Sequence, residues 1–240
     1  MRTTVQAIRY TADTARWHAL AAALGLRAAF PPVEAWSEFD GDGMLAVHAS
    51  HDGSAARTDL HLLVDDLDAA AAALTSVGAV IERTELADVG PILIVRAASG
   101  VTLTVSAQTR ALVEPTDDPV MTVQPIWYDT DSGPVAAILS ALGLRPTIAS
   151  DSGTWIEFRS HGARSGSVAF HAAETAGVTL ALATDGDLET LVSRLVEAGF
   201  EASIVDEAYN PTLRVVTPDG DELWVAGPYD DLYGYRRLDS

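Results

Sequence analysis

The chain has 240 residues, 48% of them hydrophobic, and its 34 acidic against 15 basic side chains give a formal charge of −19. Such a charge repels phosphate backbones and anionic headgroups, which excludes nucleic acid and membrane surfaces as expected partners and suits an acid-rich, soluble surface. The absence of cysteine excludes disulfides, thiolate nucleophiles and Cys-ligated zinc; with no signal-like N-terminus and no apolar run of about 18 residues, a cytoplasmic protein is expected.

Thr4 to Tyr10 reads TVQAIRY, an alternating run suited to a strand. Asp13 can cap a helix through Leu24, with Gly25 just past its end. Strand candidates follow in WSEF, Trp36 to Phe39, and in AVHA around His48. The pattern then restarts with DLHLLV from Asp59 to Val64, a helix from Asp66 to Val77 closed by Gly78, and the later strands ILIV and VTLTV. The stretch AQTRALVEPTDDPVM, Ala107 to Met121, breaks both periodicities and predicts a linker with its boundary near Pro115.

After it the order recurs. TVQPIWY, Thr122 to Tyr128, echoes the first strand, SALGLR ending at Arg145 echoes AALGLR ending at Arg27, WIEF echoes WSEF, and AFHA around His171 echoes AVHA. VTLALA from Val178, a helix from Asp187 to Ala198 closed by Gly199, LRVV and ELWV complete the copy. A repeat of about half the chain is too long for a solenoid unit and indicates two fused copies of a whole domain, each expected to bury its own core. The expected division is residues 1–110, a linker 111–120, residues 121–228, and a tail 229–240. That tail has three tyrosines and no counterpart in the first half; it is expected to strap across a domain or subunit surface, or to end in disorder.

Each quarter reads as a strand, a helix and about three strands. Four such βαβββ modules resemble the vicinal oxygen chelate superfamily, which includes glyoxalase I, bleomycin-resistance proteins and extradiol dioxygenases. The pieces that carry the resemblance are YTADTARWHALAAALGLR, VDDLDAAAAALTSVGA, DGDLETLVSRLVEAGF and TPDGDELWV. It implies an α+β fold of two tandem glyoxalase-like domains, each a cupped mixed sheet with helices outside. The fold hosts isomerases, dioxygenases, thiol transferases and metal-free binders, so the reaction must be argued from the site.

In catalytic relatives four inward side chains, mostly His and Glu with Gln substituting, ligate a divalent ion. Carried across, those positions fall on Gln6, His48, Asp59 and Thr104 in the first half and on Gln124, His171, Thr179 and Trp224 in the second. Threonine is a poor ligand and tryptophan none, so neither set is complete. Gln6, His48 and Asp59 with water form the remaining metal candidate; otherwise no cofactor is expected.

Alternation in AVHA and AFHA turns His48 and His171 toward the concave side, beside small alanines. Each is expected to be a structural histidine bonded to Gln6 or Gln124, a ligand contact, or a general base. Trp36 and Trp155 share strand faces with Glu38 and Glu157 and are either packing residues or walls of a cup. Asp206, Glu207 and Tyr209 have no aromatic match in the first half, which makes the second cup the richer in aromatic and acidic groups. His18 and His61 are assigned packing or surface roles.

The leading expectation is metal-independent binding of a small organic molecule by Gln124, Trp155, His171, Glu207, Tyr209 and Trp224, with Gln6, Trp36 and His48 as the first-half equivalents. Two alternatives stand beside it: a divalent-metal lyase, isomerase or dioxygenase, and a structural or regulatory module with filled cups. A monomer or a homodimer is compatible with the fused halves.

Overall fold

The computed structural model describes residues 1–50, 56–87, 89–114, 120–162, 164–206, 211–228 and 233–238. The first half runs β1 (Thr3–Thr11), α1 (Thr14–Ala23), β2 (Arg27–Ala28), β3 (Trp36–Gly41), β4 (Gly43–Ala49), β5 (Arg57–Val64), α2 (Leu67–Ser76), β6 (Val80–Leu86), β7 (Gly90–Arg96) and β8 (Thr102–Ala107). The second runs β9 (Thr122–Val123), β10 (Ile126–Asp129), α3 (Ser132–Ala141), β11 (Leu144–Ser150), β12 (Trp155–Ser160), β13 (Ser167–Ala172), β14 (Gly177–Thr179), β15 (Ala181–Ala183), α4 (Leu188–Glu197), β16 (Ala202–Asp206), β17 (Pro211–Val216), β18 (Glu222–Ala226) and β19 (Tyr235–Arg237).

The helices start and stop as the sequence predicts. Asp13, Asp66, Asp131 and Asp187 each accept a backbone N–H of the first turn, satisfying a donor that the helix itself cannot. Gly25, Gly78, Gly143 and Gly199 follow the four helices at positive φ, where a side chain would strain the turn. Among the described residues no helix is long and apolar enough to cross a membrane.

The first half forms one eight-stranded sheet ordered β2-β3-β4-β1-β5-β8-β7-β6. Its central strand β1 lies parallel to β4 and antiparallel to β5, and β5 is parallel to β8. The second half repeats this order but is cut at its centre into β14-β10-β13-β12-β11-β19 and β16-β17-β18-β15-β9. The cut falls at Pro125, which stands where the first half has Ala7 and has no N–H to give the ladder. Register survives the gap. Val123 opposes Leu182 and Ile126 opposes Thr179, so Gln124 stands opposite Ala181 and donates its N–H to that carbonyl at 3.0 Å.

The expectation of two separately buried cores is corrected. One core joins Trp17, Leu20, Leu45 and Val47 of the first half to Leu182, Leu195 and Val225 of the second. The other joins Leu60, Leu62 and Leu74 to Trp127, Leu139 and Phe170. A helix covering one sheet still has an outer face to bury, and here a helix of the opposite half covers it: α1 meets α4 and α2 meets α3. Both cups therefore open away from the shared interior.

Equivalent residues meet at the centre of this arrangement. Gly43, at φ +89°, is so close to Gly166 that a Cβ on it would stand 2.9 Å from the Gly166 Cα. On one side of the seam, buried Arg9 forms paired hydrogen bonds with Asp219 and Asp221, and Asp219 also accepts from Trp17 Nε1 (2.8 Å) and Thr11 Oγ1 (2.7 Å). On the other, the matching turn offers Ser99, whose hydroxyl donates to Asp129.

The expected boundary at Pro115 lies outside the described residues. Of the tail, Tyr235–Arg237 pairs antiparallel with β11 and adds an edge strand to the second sheet.

Candidate functional site

Strand alternation sends Leu45, Val47, Leu60 and Leu62 toward the helices and leaves Gln6, Ile8 and Tyr10 of β1 on the concave face. These three define successive rungs. Gln6 is level with Met44 and His61, and His61 with Thr104; Ile8 is level with Ala46 and Asp59; Tyr10 is level with His48 and Arg57. The corresponding first rung of the second cup holds Gln124, Ser167, Ala181 and Trp224, and its third holds Tyr128, His171 and Trp155.

The expected metal set Gln6, His48 and Asp59 is therefore not brought together. Its members stand on three different rungs, and Gln6 and His48 are separated by about 13 Å along the strands. Ligands of one ion each lie within about 2.0–2.2 Å of it. His48 Nδ1 instead donates to the carbonyl of Ala49 at 2.6 Å, and Asp59 pairs with Arg57. The expected histidine-to-glutamine bond across the sheet is corrected for the same reason.

On the rung that does converge, the first half offers Asp40, Met44, Gln6, His61 and Thr104, and the second Arg159, Ser167, Gln124, Ala181 and Trp224. One imidazole and one carboxylate already held by Arg110 in the first set, and no imidazole or carboxylate in the second, do not fit a divalent ion. Among the described residues no three His, Cys, Asp or Glu side chains cluster as ligands.

In the first cup the acids of β3 are held by the chain's own arginine. Arg110, just past β8, crosses the concave face and holds Glu38 through Nε (2.9 Å) and Nη2 (2.7 Å), and Asp40 through Nη1 (2.7 Å) and Nη2 (2.8 Å). Its hydrogen bonds to Asp40 lead the influences that push the guanidinium pKa up. His61, buried, uses both ring nitrogens on Thr104 Oγ1 (2.6 Å) and Ser106 Oγ (2.9 Å), and burial depresses its pKa to about 4. Trp36 Nε1 donates to Glu38 at 3.2 Å. Tyr10 has its pKa raised, first by burial and then by the charge of Asp59.

The second cup encloses a cavity of about 470 Å³. Of the residues expected there, Gln124, Trp155, His171 and Trp224 all line it, with Trp155 on β12 and Trp224 on β18, to either side of β10 and β9 in the strand order. Glu207 and Tyr209 lie outside the described residues. Tyr128, Thr154, Thr179, Thr212, Glu222 and Tyr235 complete the polar and aromatic lining. Gln124 is buried and donates through Nε2 to Glu157 Oε2 (2.8 Å) and Ser167 Oγ (2.9 Å). Glu157 is further held by Thr147 Oγ1 (2.7 Å) and Arg159 Nε (3.1 Å).

No family model matches the sequence, and no curated protein matches it. Solved structures do. Homoprotocatechuate 2,3-dioxygenase from Brevibacterium fuscum, in complex with 3,4-dihydroxyphenylacetate, superposes with a TM-score of 0.64 at 14% identity, covering 95% of this chain and 81% of its own. The 2,3-dioxygenase LapB from Pseudomonas sp. KL28 gives 0.64 at 14% identity over 95% of this chain and 92% of that one. Homoprotocatechuate 2,3-dioxygenase from Arthrobacter globiformis gives 0.64 at 14% identity, covering 99% and 80%. The fold is the vicinal oxygen chelate fold. Extradiol catechol dioxygenases share it, and at this level of identity the likeness carries the vicinal oxygen chelate architecture and no more.

Sequence reasoning missed Arg110, Tyr128 and Tyr235, and gave His61 a packing role without placing it level with Gln6. The signal for His61 was present, because alternation in DLHLLV places it with Asp59 on the concave face. Arg110 lies in the segment read as linker, where no periodicity marks it.

Proposed function

We propose that the second cup binds a small organic molecule, aromatic or cationic, without a metal ion. The observation that carries this reading is the cavity of about 470 Å³ whose lining gathers Gln124, Trp155, His171 and Trp224 while its level rung lacks metal donors. Such a volume suits a small-molecule ligand, and apolar walls with few polar groups are the usual lining. The two tryptophans offer flat apolar surfaces, while His171 and Gln124 supply polarity. Both halves come from one chain, so a monomer carries the whole site, and a homodimer is not required.

The test is elemental analysis of natively purified protein and calorimetric titration with Mn, Fe(II), Ni and Zn, followed by a thermal-shift screen of aromatic and cationic compounds. The expected result is no stoichiometric metal, with hits that raise Tm by roughly 5–10 °C at about 100 times Kd. His171→Ala should weaken a hit about 10-fold with the fold intact; unchanged affinity removes His171 from the site. The dioxygenase likeness favours, as second reading, a divalent-metal enzyme. Stoichiometric metal retained by wild type and lost in His61→Ala would establish that reading instead.

A further inference from the structure

Two polar groups on the wall of the second cup have their hydrogen-bonding direction fixed from behind. Gln124 places both amide hydrogens against Glu157 and Ser167. A carboxylate only accepts, so the NH₂ end of the amide must face Glu157, and the carbonyl Oε1 is the end left for the cavity that Gln124 lines. Arg159 and Thr147 also donate to Glu157, so its oxygens are engaged as acceptors. His171 shows the same logic. Its Nδ1 stands 2.9 Å from the Ala172 carbonyl, which can only accept, so the neutral ring carries its proton on Nδ1 and keeps a lone pair on Nε2. The hydroxyls of Tyr128, Thr154, Thr179, Thr212 and Tyr235 and the Glu222 carboxylate also line the cavity; Glu222 pairs with Arg214, and no lysine or arginine is among the described residues lining the cavity.

We infer that the ligand of this cup is a flat molecule that donates hydrogen bonds and carries no negative charge, with Gln124 as the residue that selects for the donor. This rests on the proposed binding function and names its ligand class. The ring lies against Trp224, and an N–H or O–H of the ligand meets Gln124 Oε1. An anionic acceptor would face the carbonyl oxygen and the imidazole lone pair, and the one cation beside the cavity, Arg214, is already paired with Glu222. Glu157 is a positioning residue: it never touches the ligand and acts by holding the amide in one orientation.

The probes are benzamidine, indole, 1-methylindole and benzoate, titrated calorimetrically into the full chain. Benzamidine and indole should bind, 1-methylindole about 10-fold more weakly than indole through the lost donor, and benzoate not measurably. Glu157→Gln, isosteric and still able to satisfy Gln124 as an acceptor or a donor, lets the amide turn over. The preference for indole over 1-methylindole should shrink toward equality in that variant, with Tm reporting that it folds. Gln124→Met, which removes the carbonyl while keeping length, should erase the same preference by a second route. Equal binding of indole and 1-methylindole to wild type, or tighter binding of benzoate, would overturn the inference and leave the cup a binding site. Failure of all four probes to bind would count against the binding function itself as well as this ligand class.

Discussion

In the first half, β3 places Glu38 and Asp40 together on the concave face, and the chain must bring Arg110 across from the end of β8 to neutralise them. In the second half the residue in register with Asp40 is Arg159, which pairs with Glu157 from two positions along the same strand at 3.1 Å. One exchange of charge thus decides whether the carboxylate is answered locally or by a plug drawn over the cup. The level rung differs in the same sense: His61 faces Thr104 in one copy, and Ala181 faces Trp224 in the other. Duplication has kept the scaffold and the Gln, Trp, Glu and His of the concave face, while these few positions set the charges and rings of the two cups apart.

The largest expected effect breaks the symmetry of the seam. Asp219→Ala removes the acceptor of Arg9, Trp17 and Thr11, and Arg9, with 4% of its side chain exposed, keeps only Asp221. Losing one partner of a buried charge pair should cost about 3–4 kcal/mol in denaturant unfolding. Ser99→Ala at the matching turn should cost about 1 kcal/mol, the ordinary size for one hydrogen bond. Equal costs would mean that the two seams are equally strong.

Next comes the titration of the first cup. His61 is held neutral with a pKa of about 4 in the folded protein, against an unfolded value of about 6.5. Between these values the unfolded chain binds the extra proton, so stability rises with pH through that window and is lost as pH falls from about 6.5 toward 4. The loss has an upper bound of roughly 3 kcal/mol. Ala181 occupies the same place in the second cup and cannot contribute. His61→Gln should flatten the acid limb of the stability profile; an unchanged limb would place the pH sensitivity elsewhere.

Somewhat smaller is the effect of withdrawing the plug. Arg110→Ala leaves Asp40 with no exposed side chain and without its cation, though 29% exposure of Arg110 reduces the value of the pair to about 2 kcal/mol. Arg159→Ala should cost about half as much, since Glu157 keeps Gln124 and Thr147 as donors. If the first cup binds aromatic probes only after Arg110 is removed, the plug is what closes it.

The fold was readable because its determinants are local: four Asp caps, four stopping glycines, and strand alternation that recurs in order. The cups were less so. Gln6, His48 and Asp59 share a face in any alternating reading, but whether they share a rung depends on the register between β1, β4 and β5, which no single strand encodes. The shared cores were hidden for a similar reason, since an amphipathic helix does not announce which partner covers its far side. Arg110 shows the extreme case, a linker residue whose role is fixed by charges on a strand some seventy positions earlier.

The smallest effect is the most discriminating between the copies. Trp36 and Trp155 occupy the same register against His48 and His171, at ring separations of 5.7 and 6.1 Å. Their indole N–H groups nevertheless differ: that of Trp36 donates to Glu38, whereas that of Trp155 is covered and has no hydrogen-bond partner among the described residues, Glu157 being taken by Gln124, Thr147 and Arg159. Changing each to phenylalanine removes the donor and a similar amount of ring. In Trp36→Phe that deletes a hydrogen bond to a charged group, while in Trp155→Phe it deletes a donor whose burial was a cost. Trp36→Phe should therefore be the more destabilising by about 1 kcal/mol in urea unfolding. A reversed order would mean that the Trp155 indole has an acceptor in solution, and a water held against the open cup is the one to look for.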